Sequence, residues 1–443
     1  MAAATLAAWP QCVTSPAQAV SPPPVDERYL PQPAPASPPR PTVQREICAV
    51  PSLQRDTAAD QLAALDLHRV WRLTRGAGQL VAIIDTGVAP NPRLPRVLPG
   101  GDYVSTGNGT QDCDGHGTAV AGIIAGAAES NHADDFSGVA PGANLISIRQ
   151  SSTRFGPAAD PAVAGYGDVT TMARAVRTAA DLNASVINIS SVACTPAGSA
   201  LDDRALGAAL SYAVDTKNAV VVAAAGNAGA GQCPPQRRGA TWETATVVAS
   251  PGWYDDYVLT VGSVNAAGQP SSFTLAGPWV DVAAPGEGLT SLSTSGGLAN
   301  VLGNEHDSTP LSGTSYAAPV VSGLAALIRS RFPTWTARQV MQRIKATAHR
   351  PPGGPDPRVG VGVVDLLSAV STDAPAAPSP TTNRAPAPLD EPPATPTRNP
   401  RVRQMALCGV TMCGGSLAAL LLLRATWTRL RRSGSRRRNI LSD

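Results

Sequence analysis

Short runs of β-branched and apolar residues alternate along this chain with stretches of helical periodicity, and no other feature restricts the fold as much. Residues 79–84, 145–148, 186–189, 220–224 and 258–264 read as buried strands. Residues 169–182 place Val176, Ala180 and Leu182 near one helical face, and residues 201–217 do the same with Leu206, Leu210 and Val214. Another helix is expected at residues 334–348, and a turn or two around Leu62, Leu65, Leu67, Val70 and Trp71. Strands alternating with helices specify the α/β class: a mostly parallel sheet covered by helices on both faces.

Composition marks where this body stops. Of the 42 prolines, nine fall in residues 22–41 and nine in residues 375–400, so both segments should be extended and unable to pack a core. The last 20 residues carry seven arginines and one carboxylate, a surplus of six, which leaves residues 1–423 at −3 within the overall +3. With the basic charge confined to the tail, the body lacks the stripe that binds phosphates, and nucleic acid is not expected as a partner. Residues 405–423 hold no charge and follow a proline-rich linker, which predicts one C-terminal transmembrane helix. Arginines predominate after it, so the tail should be cytoplasmic and the body outside the inner (plasma) membrane. Residues 1–19 are apolar and end in Ala17-Gln18-Ala19, the pattern of a signal-peptide cleavage site, although a charged n-region is missing and the true start is expected upstream. The expected layout is therefore signal 1–19, extension 20–65, body 66–372, linker 373–403, span 404–424 and tail 425–443.

Outside the leader and the span, four cysteines remain, Cys48, Cys113, Cys194 and Cys233, an even number that suits disulfides in an oxidising compartment and allows three pairings. No C-x-x-C or H-x-x-x-H spacing occurs among them, and no Asp-rich calcium loop of EF type appears. No cofactor or metal is therefore expected, irregular calcium sites remaining open.

Four residues stand at places where chemistry collects. Asp85 ends the first strand, in Asp85-Thr86-Gly87, and sites in open α/β sheets form at that end. An aspartic protease would need a second such carboxylate in a matching half, and none is present. His116 opens a small-residue helix in Asp112-Cys113-Asp114-Gly115-His116-Gly117-Thr118. Asn227 follows the strand at 220–224 beside two glycines, where an amide can donate into a site. Ser315, in Ser312-Gly313-Thr314-Ser315, begins a buried helix whose N-terminal N–H groups suit a developing oxyanion. Taken singly, Ser315 reads as a helix cap, Asn227 as a turn residue and His116 as structural. His132, His306 and His349 lie in segments read as solvated, and His68 reads as a surface or packing residue of the short helix around Leu67.

Taken together and in this order, Asp85 in IIDTGV, His116 in DGHGTAVAGIIAG, Asn227 in AAAGN and Ser315 in LSGTSYAAPVVSG resemble the subtilisin-like serine proteases. That resemblance implies a subtilisin-like fold acting on protein or peptide substrates. Ser315 would be nucleophile, His116 general base and then acid, and Asp85 the group that orients the imidazole, with Asn227 and the Ser315 N–H as oxyanion hole. It further implies that Ser190, Ser191, Val192, Ala224, Ala225 and Gly226 wall the primary specificity pocket. Val192, where subtilisins usually carry glycine, would narrow it.

The resemblance narrows to the mycosins, membrane-anchored proteases of type VII secretion systems, through the proline-rich extension, WRLTRGAGQ, Tyr316, the linker, the single span and the basic tail. Mycosins imply disulfides Cys48 to Cys113 and Cys194 to Cys233, a retained extension in place of a compact propeptide, and association with the secretion membrane complex. Two roles are thereby open, an endopeptidase and a structural subunit of that complex, with a degradative surface protease as a third.

Overall fold

The computed structural model describes residues 19–54, 62, 65–129, 134–199, 201–229, 233–304, 307–354 and 356–372. The expected leader, linker, span and tail lie outside the described residues, apart from Ala19 at the end of the leader. Among the described residues no helix is long and apolar enough to cross a membrane.

A seven-stranded sheet carries the fold. Its strands in chain order are β1 (Leu80–Asp85), β2 (Val97–Asp102), β3 (Asn144–Arg149), β4 (Val186–Ile189), β5 (Val220–Ala224), β6 (Leu259–Val264) and β7 (Val282–Pro285). The spatial order is β7-β6-β5-β4-β1-β3-β2, with every neighbouring pair parallel. From β1 the chain first builds one side of the sheet, β2 and β3, and then crosses to build the other, β4 to β7. The C-terminal ends of β1 and β4 therefore flank the point where the winding reverses, the crevice in which α/β proteins place their sites.

Among the described residues, five helices of eight residues or more clothe it: α1 (His116–Ala125), α2 (Val169–Asp181), α3 (Arg204–Ser211), α4 (Thr314–Arg331) and α5 (Ala337–Thr347). α4 lies across β4, β5, β6 and β7 and packs on α1, while α2 packs on β1, β3 and β4 and carries α3. α1 and α4 are apolar nearly all round, as helices enclosed by a core must be: residues 117–125 and 314–328 are all buried. Small side chains permit this closeness. A Cβ at Gly117 would stand 2.0 Å from the Gly87 carbonyl oxygen, so only glycine lets α1 approach the loop that follows β1.

Some predicted elements differ. Asp66 adopts a left-handed backbone (φ 50), which confines the helix expected near Leu62 to Leu67–Trp71. The helix expected from residue 201 begins at Arg204, because Asp203 directs its buried carboxylate at Ser250, Trp253 and Tyr254 instead of continuing the spiral. It then passes into a π turn, Tyr212–Thr216. Strands β2 and β7, not expected, contain Pro99-Gly100-Gly101 and Pro285, which mask the apolar pattern. His349, expected to be solvated, is exposed yet lies 3.0 Å from the Asp365 carboxylate; His132 and His306 fall outside the described residues.

Among its described residues the proline-rich extension has no core of its own and is tied to the body at intervals. The Val20 N–H meets Trp242 O, Tyr29 lies under the Arg204 guanidinium, and Thr42–Gln44 pairs antiparallel with Phe155–Pro157. Cys48 is bonded to Cys113, and Ser52 bridges Val301 in the hairpin formed by Val301–Asn304 and Asp307–Pro310. Cys194 is bonded to Cys233.

Candidate active site

Three separate elements deliver side chains to one point at the head of β1. Asp85, 1% exposed, is the last residue of that strand, and its Oδ1 accepts from the Thr86 N–H at 2.7 Å. His116 is the first residue of α1. Its Nδ1 lies 2.7 Å from Asp85 Oδ1 and its Nε2 2.9 Å from Ser315 Oγ, so the imidazole bridges carboxylate and hydroxyl. Ser315 is the second residue of α4 and is 9% exposed.

Local chemistry explains why Ser315 is held there. Pro319 sits inside α4, four residues on, and has no N–H to give the Ser315 carbonyl. That carbonyl accepts instead from Ser190 Oγ at 3.1 Å, and Ser190 is in turn fixed by Asn188 Nδ2 at 2.9 Å. The head of α4 is thereby tied to the end of β4 by a side chain in place of the missing helix bond.

Asn227 follows β5. Its Oδ1 accepts from the Thr314 N–H at 3.0 Å and from Thr314 Oγ1 at 3.1 Å, which fixes the amide so that Nδ2 is the end left to donate. A Cβ built on Gly313 would lie 3.2 Å from both Asn227 Nδ2 and Ser315 Oγ, so glycine keeps open the space those two atoms share. A carbonyl carbon attacked by Ser315 would place its oxygen beside that space, facing a neutral donor.

Two carboxylates that sequence reasoning passed over complete the frame. Asp112 is partly buried and accepts four hydrogen bonds, from Thr86 Oγ1 at 2.8 Å, the Gly115 N–H at 2.8 Å, the Thr118 N–H at 2.8 Å and Thr118 Oγ1 at 2.7 Å. It binds the loop after Asp85 to the first turn of α1 and meets orphan N–H groups of that helix. Burial pushes its pKa up, although all four partners are donors of the kind a carboxylate requires. Asp114 accepts from Ser152 Oγ at 2.5 Å and from Thr153 N and Oγ1. Both flank His116 in the motif already singled out, and their position there was the available signal. For His116, burial pulls the pKa down, but the Asp85 charge and hydrogen bond, with Asp112 and Asp114 behind, outweigh it and leave the value raised. The Tyr316 ring closes the other side, 4.9 Å from the imidazole.

A cleft of about 900 Å3 opens from this point. Ser190, Ser191, Val192, Ala224 and Gly226 line it, whereas Ala225 does not: it is 0% exposed and its N–H bonds to Val261 O, because alternate residues at a strand end face opposite ways. Val192 Cγ1 stands 3.5 Å from a Cβ position on Gly226, and Cys233 Sγ stands 3.4 Å from it. The valine and the second disulfide therefore crowd one pocket. No group of three or more acidic, His or Cys residues suited to a metal occurs among the described residues.

Fold and site together define a subtilisin-like serine endopeptidase, and the sequence pattern of the Subtilase family matches residues 76–362. The chain is 63% identical to Mycosin-4 of Mycobacterium tuberculosis over 429 residues, covering 94% of this chain and 93% of that protein. Among solved structures, it is similar to the MycP3 protease from the type VII (ESX-3) secretion system, with a TM-score of 0.74 and 48% identity over 80% of this chain and all of that one. A chain in an intact ESX-5 inner membrane complex matches with a TM-score of 0.76 and 40% identity, over 91% of this chain and 100% of that one. Within the subtilases, this chain belongs to the mycosins.

Proposed function

We propose that the chain hydrolyses peptide bonds of exported proteins through an acyl-enzyme on Ser315, outside the inner membrane and in association with a type VII secretion complex. One observation carries the chemistry: the bridge from Asp85 through both nitrogens of His116 to Ser315 Oγ, at 2.7 and 2.9 Å. His116 Nε2 takes the hydroxyl proton as Oγ attacks the carbonyl, then returns it to the leaving amine, while Asp85 fixes the tautomer with Nδ1 protonated. Asn227 Nδ2 and the Ser315 N–H receive the oxyanion. For such a donor, loss costs about 100- to 1,000-fold in kcat, a magnitude measured in a subtilisin. Water then attacks the ester with His116 again as base.

Retention in the membrane falls to residues 404–424, with the linker at 373–403 as tether, the tail at 425–443 on the cytoplasmic side and residues 1–19 as leader. The association with a secretion complex is supported by the similar chain within the ESX-5 inner membrane complex. The same likeness favours a second reading, in which the domain serves chiefly as a structural subunit and hydrolysis is dispensable. A fluorophosphonate probe should label the wild-type protein and not Ser315→Ala; no labelling of the native wild type refutes the acyl-enzyme. Comparing secretion in Ser315→Ala and deletion strains separates the two roles: loss in both supports proteolysis, and loss only on deletion supports the subunit.

A further inference from the structure

We infer that Arg40, supplied by the extension, makes this protease select substrates with an acidic side chain a few residues before the scissile bond. The inference rests on the proposed hydrolysis of exported proteins, with the specificity pocket where the subtilisin resemblance places it, and deepens that reading. Six charged or titratable side chains of the kind that form ion pairs line the cleft, Arg40, Asp85, Asp114, His116, Arg154 and Asp168. Five are committed. Asp85 and His116 bond each other, Asp114 accepts from Ser152 and Thr153, and Arg154 pairs with Glu46. Asp168 caps α2 by accepting the Thr171 N–H at 2.7 Å. Arg40 alone in this set has neither ion pair nor hydrogen bond among the described residues; its guanidinium carbon stands 5.9 Å from the Tyr166 ring centre, and the side chain is exposed.

Where it stands along the substrate follows from contacts on the cleft wall. Ser191, on the pocket that receives the side chain before the scissile bond, lies with its Oγ 3.3 Å from Ser151 Oγ. The next residue, Ser152, exchanges both backbone hydrogen bonds with Tyr166, at 2.9 and 2.8 Å. Arg40 lies over Tyr166. The wall thus runs from Ser191 through Ser151 and Ser152 to Tyr166 and Arg40, along the acyl side of a bound peptide. A guanidinium held against a ring face, with its donors unused, is suited to a carboxylate and repels a second cation.

The test uses peptides carrying Asp, Asn or Lys at each of the second to fifth positions before the cut. Cleavage is measured with the whole protein, and binding with its Ser315→Ala form by fluorescence anisotropy, each with and without Arg40→Ala and Arg40→Glu. At one position, Asp should be preferred over Asn by about 2- to 5-fold, the size of a solvent-screened ion pair, and the preference should fade as salt rises. Arg40→Ala should abolish it and Arg40→Glu should reverse it toward Lys. Equal selectivity in the parent and Arg40→Ala proteins overturns the inference. Because binding to the Ser315→Ala form needs no chemistry, selectivity there without cleavage would refute the acyl-enzyme reading and leave the role of Arg40 standing.

Discussion

Asp112 offers the sharpest test of how the site is built, because it touches neither substrate nor Ser315. In Asp112→Ala, four donors lose their shared acceptor: the hydroxyls of Thr86 and Thr118 and the N–H groups of Gly115 and Thr118. Each such bond to a charged acceptor is worth about 1.5–3 kcal/mol. Partial filling by water and relaxation leave an expected net loss of about 3 kcal/mol, the lower end of the range for removing one partner from a buried charged network, because Asp112 is only partly buried. The melting temperature should fall by about 5–10 °C. Activity should fall further than stability implies, since Asp112 joins the loop carrying Asp85 to the turn carrying His116, and a shift of about 1 Å costs about 100-fold. Asp112→Asn keeps the volume but turns an amide toward two donors, so it should lie between. A peptide-cleavage assay well below the melting temperature separates the effects: kcat should fall while KM changes little. An Asp112→Ala protein that melts as the parent does and keeps its kcat would refute this account of the frame.

Further expectations follow from the same geometry. Because the base must be neutral to act and the His116 pKa is raised above 6.5, the acid limb of kcat/KM should lie above pH 6.5. The same sign makes the residue's contribution to folding fully present below pH 6.5 and lost as pH rises through the raised value. Asp114→Asn removes one of the charges that raise it, so a pH–rate profile of that variant should shift to lower pH. Val192→Gly should enlarge the pocket and raise kcat/KM for Phe over Ala at the residue before the scissile bond, by about 10-fold or more; an unchanged profile means that the valine is not the wall. Replacing Cys48 and Cys113 with serine opens a loop of 65 residues and should cost about 4 kcal/mol in urea denaturation, with early hydrogen exchange in residues 45–54.

Singly, the candidate site residues read as a helix cap, a turn residue and a structural histidine; they became legible only together, because Asp85, His116, Asn227 and Ser315 stand in small-residue frames such as Gly115 and Gly117, Gly226 and Gly313, in an order that resembles the subtilisins. The strands supplying them were legible because burial on both faces leaves unbroken apolar runs. β2 and β7 were not, since Pro99, Gly100, Gly101 and Pro285 carry a turn's signature into a strand. Asp112 and Asp114 were in view but silent, because an acid's hydrogen-bond partners depend on which loops the fold brings together. The path of the extension was hidden apart from its tie at Cys113, which the mycosin resemblance implied: prolines erase periodicity, and the remaining contacts, at Trp242, Arg204 and Val301, are set one at a time.

His116 and Ser315 begin two helices that pack on one another, so the gap between imidazole and hydroxyl is spanned twice, once by a hydrogen bond and once by the seam of α1 and α4. That seam works as a calliper whose jaws are these two side chains and whose hinge lies deep in the molecule. At Gly323, far along α4, a Cβ would come within 2.7 Å of Val139 Cβ. A single methyl group there, remote from any substrate, would be read out at the jaws as a change in rate. On the proposed mechanism, the interior would set a reactivity that the surface only displays.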